Sequence, residues 1–252
     1  MKLFNGDCLE IMPTMQHQSV DLIIADLPYG TTECSWDSII PFEPMWQCIN
    51  HVGRPDTAIL LFAQAPFDKV LACSNLKDFR HEWIWEKPNA TGFFNAKKMP
   101  MKAHENILVF YKSLPTYNPQ KTMGHKRASA RKVGTQRQSE CYGKAIKITE
   151  YDSTERYPRS VIKFSSDKQI SNYHPTQKPL ALIEYFVRTY SNPNDTVLDF
   201  CMGSGTTGVA AQRLGRNFVG IEKEQKYFET AKNRIESDIY NFDLLETAVS
   251  NV

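Results

Sequence analysis

Four consecutive residues, Asp26-Leu27-Pro28-Tyr29, place a carboxylate, a backbone carbonyl, a donor-free turn and an aromatic face within one short stretch. Those groups suit an aromatic amine. Such an amine is a poor nucleophile, because its lone pair is delocalised into the ring. An acceptor pair, the Asp26 carboxylate and the Leu27 carbonyl, can take both N–H hydrogens and favour a pyramidal nitrogen. The lone pair then points at an electrophile. Pro28 has no N–H and a fixed φ, so the carbonyl before it is aimed without a competing donor. Tyr29 offers a face on which a flat ring can stack. The same residues also read as a strand end followed by a Pro-Tyr-Gly turn, since Pro and Gly end many strands.

A second stretch, Asp199-Phe200-Cys201-Met202-Gly203-Ser204-Gly205-Thr206, has the residue types of a nucleoside cradle. Glycines let the backbone approach a ligand closely. Glu222 follows at the end of the next apolar run. An acidic residue about 20 positions past such a loop commonly binds ribose hydroxyls. The spacing of Gly203, Gly205 and Gly208 alone would also fit a dinucleotide.

Both motifs need strands to carry them. Val20 to Ala25 is an apolar, β-branched run of the kind buried in a parallel sheet. Thr196-Val197-Leu198 leads into the second motif, and Thr206 to Leu214 reads as a helix with Gly215 as its stop. Strand, glycine loop and helix is the context that gives a Gly-x-Gly meaning. Open α/β sheets bind ligands at the carboxyl ends of their strands. Across the chain, strands are expected at 2–5, 20–25, 57–63, 81–86, 106–111, 196–200 and 217–221. Helices are expected near 41–52, 66–75, 178–191, 206–214 and 224–246. In the last of these, Tyr227, Ala231, Ile235 and Ile239 recur four apart, so it packs on the sheet or on a partner subunit. Alternating strands and helices give an α/β fold with a mostly parallel sheet. Residues 88–172 break that rhythm.

In residue content and order, the chain resembles the amino-group DNA methyltransferases, the N6-adenine and N4-cytosine family, in the permuted order called the beta class. In that class the catalytic tetrad precedes the recognition region and the cofactor loop comes last. The resemblance implies a seven-stranded-type methyltransferase sheet with helices on both faces and an inserted recognition region. It implies Asp26, Leu27, Pro28 and Tyr29 as the catalytic tetrad and S-adenosylmethionine as cofactor. Asp199, Phe200, Cys201, Gly203, Ser204, Gly205 and Thr206 would line the cofactor, and Glu222 would hold its ribose. Asn5 to Glu10 resembles the family's adenine-binding strand end, which assigns Asp7 and Cys8 to the cofactor's adenine. His174-Pro175-Thr176-Gln177-Lys178-Pro179 resembles the segment that contacts the methionine end, which assigns Lys178 there. His104-Glu105 matches a further family pattern with no role derived. Leu27 stands where many members have Pro, but only its carbonyl is needed. Asp rather than Ser at position 26 favours adenine, so the implied reaction is methylation of N6 of a flipped-out adenine in DNA. N4-cytosine methylation and a non-catalytic DNA- or dinucleotide-binding module are the alternatives. Methyltransferases of RNA or of protein glutamine usually place the cofactor loop first, and here it follows the tetrad.

Length and charge agree. The 252 residues fit one α/β domain with an insertion. The catalytic and cofactor-binding domain is expected over 1–87 and 173–252, with a basic recognition insert over 88–172. The net charge is only +2, yet residues 97–147 hold 12 Lys/Arg against two Glu, leaving the rest of the chain at −8. Such asymmetry points to a phosphate-binding surface on double-stranded DNA, with Lys97, Lys98, Lys126, Arg127, Arg131 and Lys132 as its expected contacts. Lys121 to Lys144 is poor in apolar residues, which fits either a solvated loop or a segment that orders on DNA. A homodimer and a cognate restriction endonuclease are left open as partners. Six cysteines without C-x-x-C pairing, and no leader pattern or membrane-length apolar run, point to a reducing cytoplasm. Cys8 and Cys201 read as small buried residues. The six His show no metal spacing, and no metal is expected.

Overall fold

The apolar runs become neighbouring strands of one sheet. The computed structural model describes residues 1–30, 37–130, 138–139, 143–144, 151–165 and 177–249. In chain order the elements are β1 (Lys2–Asn5), α1 (Cys8–Ile11), β2 (Val20–Asp26), α2 (Phe42–Val52), β3 (Gly53–Ala63), α3 (Phe67–Ser74), β4 (Phe79–Thr91) and β5 (Lys102–Phe110). Four short strands follow: β6 (Ala128–Ala130), β7 (Gln138–Ser139), β8 (Gly143–Lys144) and β9 (Tyr151–Ser153). The chain then runs through β10 (Val161–Lys163), α4 (Leu180–Tyr190), β11 (Thr196–Asp199), α5 (Thr206–Arg213), β12 (Asn217–Glu222) and α6 (Gln225–Val249).

The main sheet has eight strands in the order β1-β12-β11-β2-β3-β5-β4-β10. The expected seven are joined by β10, three residues pairing parallel to β4 through Val161↔Ile84. Register explains where a site can form. Leu198 pairs with Ile23, Asp199 with Gly220, and Asn5 with Glu222, all parallel. The carboxyl ends of β1, β12, β11 and β2 therefore share one edge. β5 runs antiparallel to both neighbours, with Ala63↔Asn106 and Trp85↔Glu105. A strand running the other way starts where its neighbours end, so Glu105, near the start of β5, reaches the edge that carries Asp26.

Side chains alternate across a strand, and here both faces are covered. Ile23, Ala25, Ile59, Leu61, Leu108 and Phe110 pack with Met45, Trp46, Ile49 and Val52 of α2. Leu22, Ile24, Leu60, Phe62, Ile107 and Val109 pack with Leu182, Ile183, Phe186 and Val187 of α4, and with α5 and α6. Burial on both faces is why these strands read as continuous apolar runs. In α6, Ala231 and Ile235 are buried in this second layer, as their spacing implies.

Residues 1–118 and 160–252 form one compact unit, and Pro119–Arg159 forms a second. The division differs from the expected limits of 88 and 172, because β5 is a central strand and β10 an edge strand of the main sheet. Within the second unit β6 pairs antiparallel with β9. Arg127 is held by both carboxylate oxygens of Asp152, and Lys121 Nζ lies 2.9 Å from Glu155 Oε2. No described helix is long and apolar enough to cross a membrane.

Candidate active site

Asp26 closes β2, and its two oxygens face different partners. Tyr29 Oη is 2.8 Å from Asp26 Oδ1, and Lys178 Nζ is 2.7 Å from Asp26 Oδ2. The same lysine lies 2.6 Å from Glu105 Oε1, and Lys87 Nζ lies 2.8 Å from Glu105 Oε2. Tyr29 Oη is also 3.0 Å from Glu105 Oε1, so its single proton serves one carboxylate at a time. Two carboxylates thus share Lys178, while Glu105 has a second ammonium to itself. Burial opposes ionisation of Glu105, but Lys178 and Lys87 overcome it and hold the carboxyl down at about 2. For Asp26, burial outweighs its one ammonium, and Glu105 adds repulsion, so its proton affinity is raised. Burial alone would lower the affinity of Lys178 for its proton, but Asp26 and Glu105 raise it. Burial beside both carboxylates likewise raises Tyr29 well above the usual phenol range. The Tyr29 ring leans on Phe67 at 5.2 Å between centroids. Gly30, at φ +65°, turns the chain so that its N–H donates to Asp37 Oδ1 at 2.9 Å. Only a residue without Cβ takes that conformation easily.

The second motif is built by hydrogen bonds from its own loop. Asp199 accepts from Thr207 Oγ1 at 2.6 Å and from the Cys201 N–H at 3.1 Å. Burial dominates there and pushes its carboxyl up to about 7. Glu222 accepts from the Gly203 N–H and the Glu224 N–H, both at 2.9 Å, one on each oxygen. A carboxylate has about four acceptor sites, so these bonds leave capacity for a hydroxyl donor. Gly205, at φ +76°, starts α5, and a Cβ there would lie 3.0 Å from Ala231 Cβ and Ile235 Cδ1. Its smallness answers to helix packing as well as to any ligand. The Ser204 and Thr206 hydroxyls are tied to Arg234 Nη1 at 3.2 and 2.9 Å. Asp7 caps α1 through the Leu9 N–H at 2.9 Å and pairs with Lys223 Nζ at 3.0 Å. The Cys8 and Cys201 thiols hydrogen-bond each other, which lowers Cys8 and raises Cys201.

One cavity of about 850 Å³ joins the two motifs. Its walls include Asp7, Cys8, Phe200, Gly203 and Glu222 as well as Asp26, Leu27, Pro28, Tyr29, Glu105 and Lys178. The Asp26–Tyr29 corner and the Asp199–Thr206 loop thus open onto the same space. The model of the N6/N4 DNA methylase family matches residues 20–233, which span both. The chain belongs to that family. The Type II methyltransferase M1.MboII of Moraxella bovis is 30% identical over 253 residues, covering 91% of this chain and 94% of that protein. A crystal structure of the M1.HpyAVI–SAM complex is 27% identical and superposes with a TM-score of 0.62 over 93% of this chain and 98% of that one. The cytosine-N4-specific PvuII DNA methyltransferase, at 17% identity and a TM-score of 0.66 over 95% of this chain and 90% of that one, shares the fold.

In this DNA methylase the tetrad residues and the loop residues expected to bind a cofactor all line the cavity except Gly205, which packs behind it. Lys178 lines it too, where it pairs with Asp26 and Glu105. In the sequence Glu105 is visible only as half of a pattern without a role, and Lys87 gives no signal at all. Both are recognisable only once β4 and β5 are paired. Among the expected DNA contacts, Lys97 and Lys98 lie exposed between β4 and β5, and Lys126 and Arg127 lie in the second unit. Arg131 and Lys132 fall outside the described residues.

Proposed function

We propose that this methylase transfers the methyl group of S-adenosylmethionine to N6 of adenine in double-stranded DNA. The observation that supports it most is the one cavity shared by Asp26-Leu27-Pro28-Tyr29 and the Asp199–Thr206 loop. The cofactor fits those walls: among the described residues seven carboxyl groups (Asp7, Asp26, Asp37, Glu105, Asp199, Glu222, Glu224), of which burial favours the neutral form of Asp199, face three lysines (Lys87, Lys178, Lys223), a surplus suited to a cation. When bound, the cofactor supplies an electrophilic methyl on a positively charged sulfur. The protein's own residues do the rest. Glu222 keeps acceptor capacity for a ribose hydroxyl. Asp26 and the Leu27 carbonyl accept the two hydrogens of the amine. Tyr29, braced by Phe67 and by its hydroxyl, presents a rigid ring to the base. Rate then comes from positioning and from stabilising the charge that develops on nitrogen. Asp26 need not be a strong base, because a methylated ammonium-like nitrogen loses its proton easily. Asp rather than Ser at position 26 favours adenine over cytosine.

The test is labelled S-adenosylmethionine with unmethylated DNA, followed by nucleoside analysis and methylation-sensitive sequencing. N6-methyladenine in a defined word is the expected product. N4-methylcytosine would move the enzyme to the other branch. No transfer to DNA, or tighter binding of NAD than of S-adenosylmethionine, would overturn the reading.

A further inference from the structure

The connection between β4 and β5 carries two aromatic rings that stand bare among the described residues. Phe93 is 76% exposed and Phe94 is 100% exposed, followed by Met99 at 54%. The same stretch holds Lys97, Lys98 and Lys102, with no acid between Thr91 and His104. Its shape is set by its own backbone. Gly92 turns at φ +90°, and Phe93–Asn95 forms a 3-10 turn. The N–H groups of Asn95, Ala96 and Lys98 donate to the carbonyls of Gly92, Phe93 and Asn95 at 2.9, 3.0 and 2.8 Å. Its root is part of the site, since Lys87, Pro88, Asn89 and Thr91 line the cavity, and Thr91 pairs with Lys102 across the hairpin. A pair of bare rings among cations, rising from the rim of the cavity, has the chemistry of one partner. A duplex offers phosphates outside and a stack of flat apolar faces inside.

We propose that Phe93 and Phe94 form a wedge that enters the base stack of duplex DNA beside the target base, while Lys97, Lys98 and Lys102 grip the flanking phosphates. The proposal rests on the reading that the substrate is a base in DNA. A base must leave the stack to reach Asp26, and apolar side chains between base steps favour that unstacking. The wedge occupies the gap and holds the opened duplex. Phe93 and Phe94 are positioning residues, because neither ring lines the cavity.

The experiment uses the full chain and the target word read by sequencing methylated DNA. Two duplexes carry that word, one with the target base normally paired and one with it opposite an abasic site. Single-turnover methylation is measured for wild type and for the Phe93→Ala/Phe94→Ala variant, with S-adenosylmethionine affinity and solution mass alongside. The variant should slow about 10- to 100-fold on the paired duplex, the size of one or two base–aromatic stacks removed. It should recover most of that rate on the abasic duplex, where little pairing remains to be broken. Cofactor affinity and mass should not change. Equal slowing on both duplexes, or none on either, would overturn the wedge while leaving the enzyme's activity standing. A dimer that disappears together with activity would overturn it too, by showing that a second copy covers the rings. If wild type methylates neither duplex, the underlying activity fails first.

Discussion

Asp26 is the group whose removal should separate chemistry from binding. Its carboxylate sits between Tyr29 Oη and Lys178 Nζ and makes none of the Asp199–Thr206 loop's own hydrogen bonds. Asp26→Ala should lower the rate of methyl transfer by about 100-fold or more, the size expected when one preorganised polar group is deleted. S-adenosylmethionine affinity, measured by calorimetry, should stay nearly constant. Near-normal turnover would remove Asp26 from the chemistry. Glu105 predicts a pH dependence. Its folded carboxyl lies at about 2 against an ordinary 4.5, so its stabilising effect is complete above 4.5 and is lost as pH falls toward 2. Glu105→Gln should therefore melt below wild type at neutral pH, and the gap should close in acid; a gap that stays constant with pH would deny the ion pairs their role. Sequence reading reaches its limit at this residue. Asp26 announces itself through its neighbours Leu27, Pro28 and Tyr29. Glu105 depends on Lys87 and Lys178, far away along the chain, and no local pattern can supply partners that only strand pairing brings together.

Glycines of the second motif act through their elements. A Cβ on Gly208 would lie 2.5 Å from Ile235 Cδ1 and 2.7 Å from Phe218 Cε1, where α5 meets α6 and β12. Gly208→Ala should destabilise the protein by about 1–3 kcal/mol, the usual result of overpacking. Thermal denaturation would show it as a drop of several degrees. Gly203 differs, because it stands at φ +49° with its N–H on Glu222. Gly203→Val should strain that turn and weaken S-adenosylmethionine binding more than it lowers the melting temperature. Lower stability in both variants with no change in cofactor affinity would make the loop purely structural. Elements of this kind are largely readable from the chain. Strands covered on both faces leave unbroken apolar runs, and α4 repeats Ile183, Phe186, Val187 and Tyr190 at helical spacing. β10 is not readable, because three residues with only Ile162 half-buried make no pattern, and its pairing to β4 spans a long stretch of chain.

Charge is the property that only the whole molecule shows. A net of +2 conceals a strongly basic middle and an acidic remainder. Within the unit Pro119–Arg159, however, the cations are not equally available. Arg127 is clasped by Asp152 and Lys121 by Glu155, whereas Lys126 is exposed and has no such carboxylate among the described residues. A phosphate must compete with Asp152 for Arg127 but not for Lys126. Replacing Lys126, Arg127, Arg131 and Lys132 together with Gln should flatten the plot of log affinity against log salt by up to about 0.9 for each phosphate no longer gripped. Of the single replacements, Arg127→Gln should flatten it less than Lys126→Gln, because releasing Arg127 from Asp152 offsets part of what the phosphate gains. Affinity should fall about equally on all sequences if these groups touch only the backbone, and unequally if one reads a base. S-adenosylmethionine affinity should hold constant, since among the described residues every wall of the proposed cofactor cavity belongs to the other unit. Equal slopes for wild type and the fourfold variant would mean that this unit does not grip phosphate, and would leave Lys97, Lys98 and Lys102 beside the cavity as the electrostatic hold on DNA.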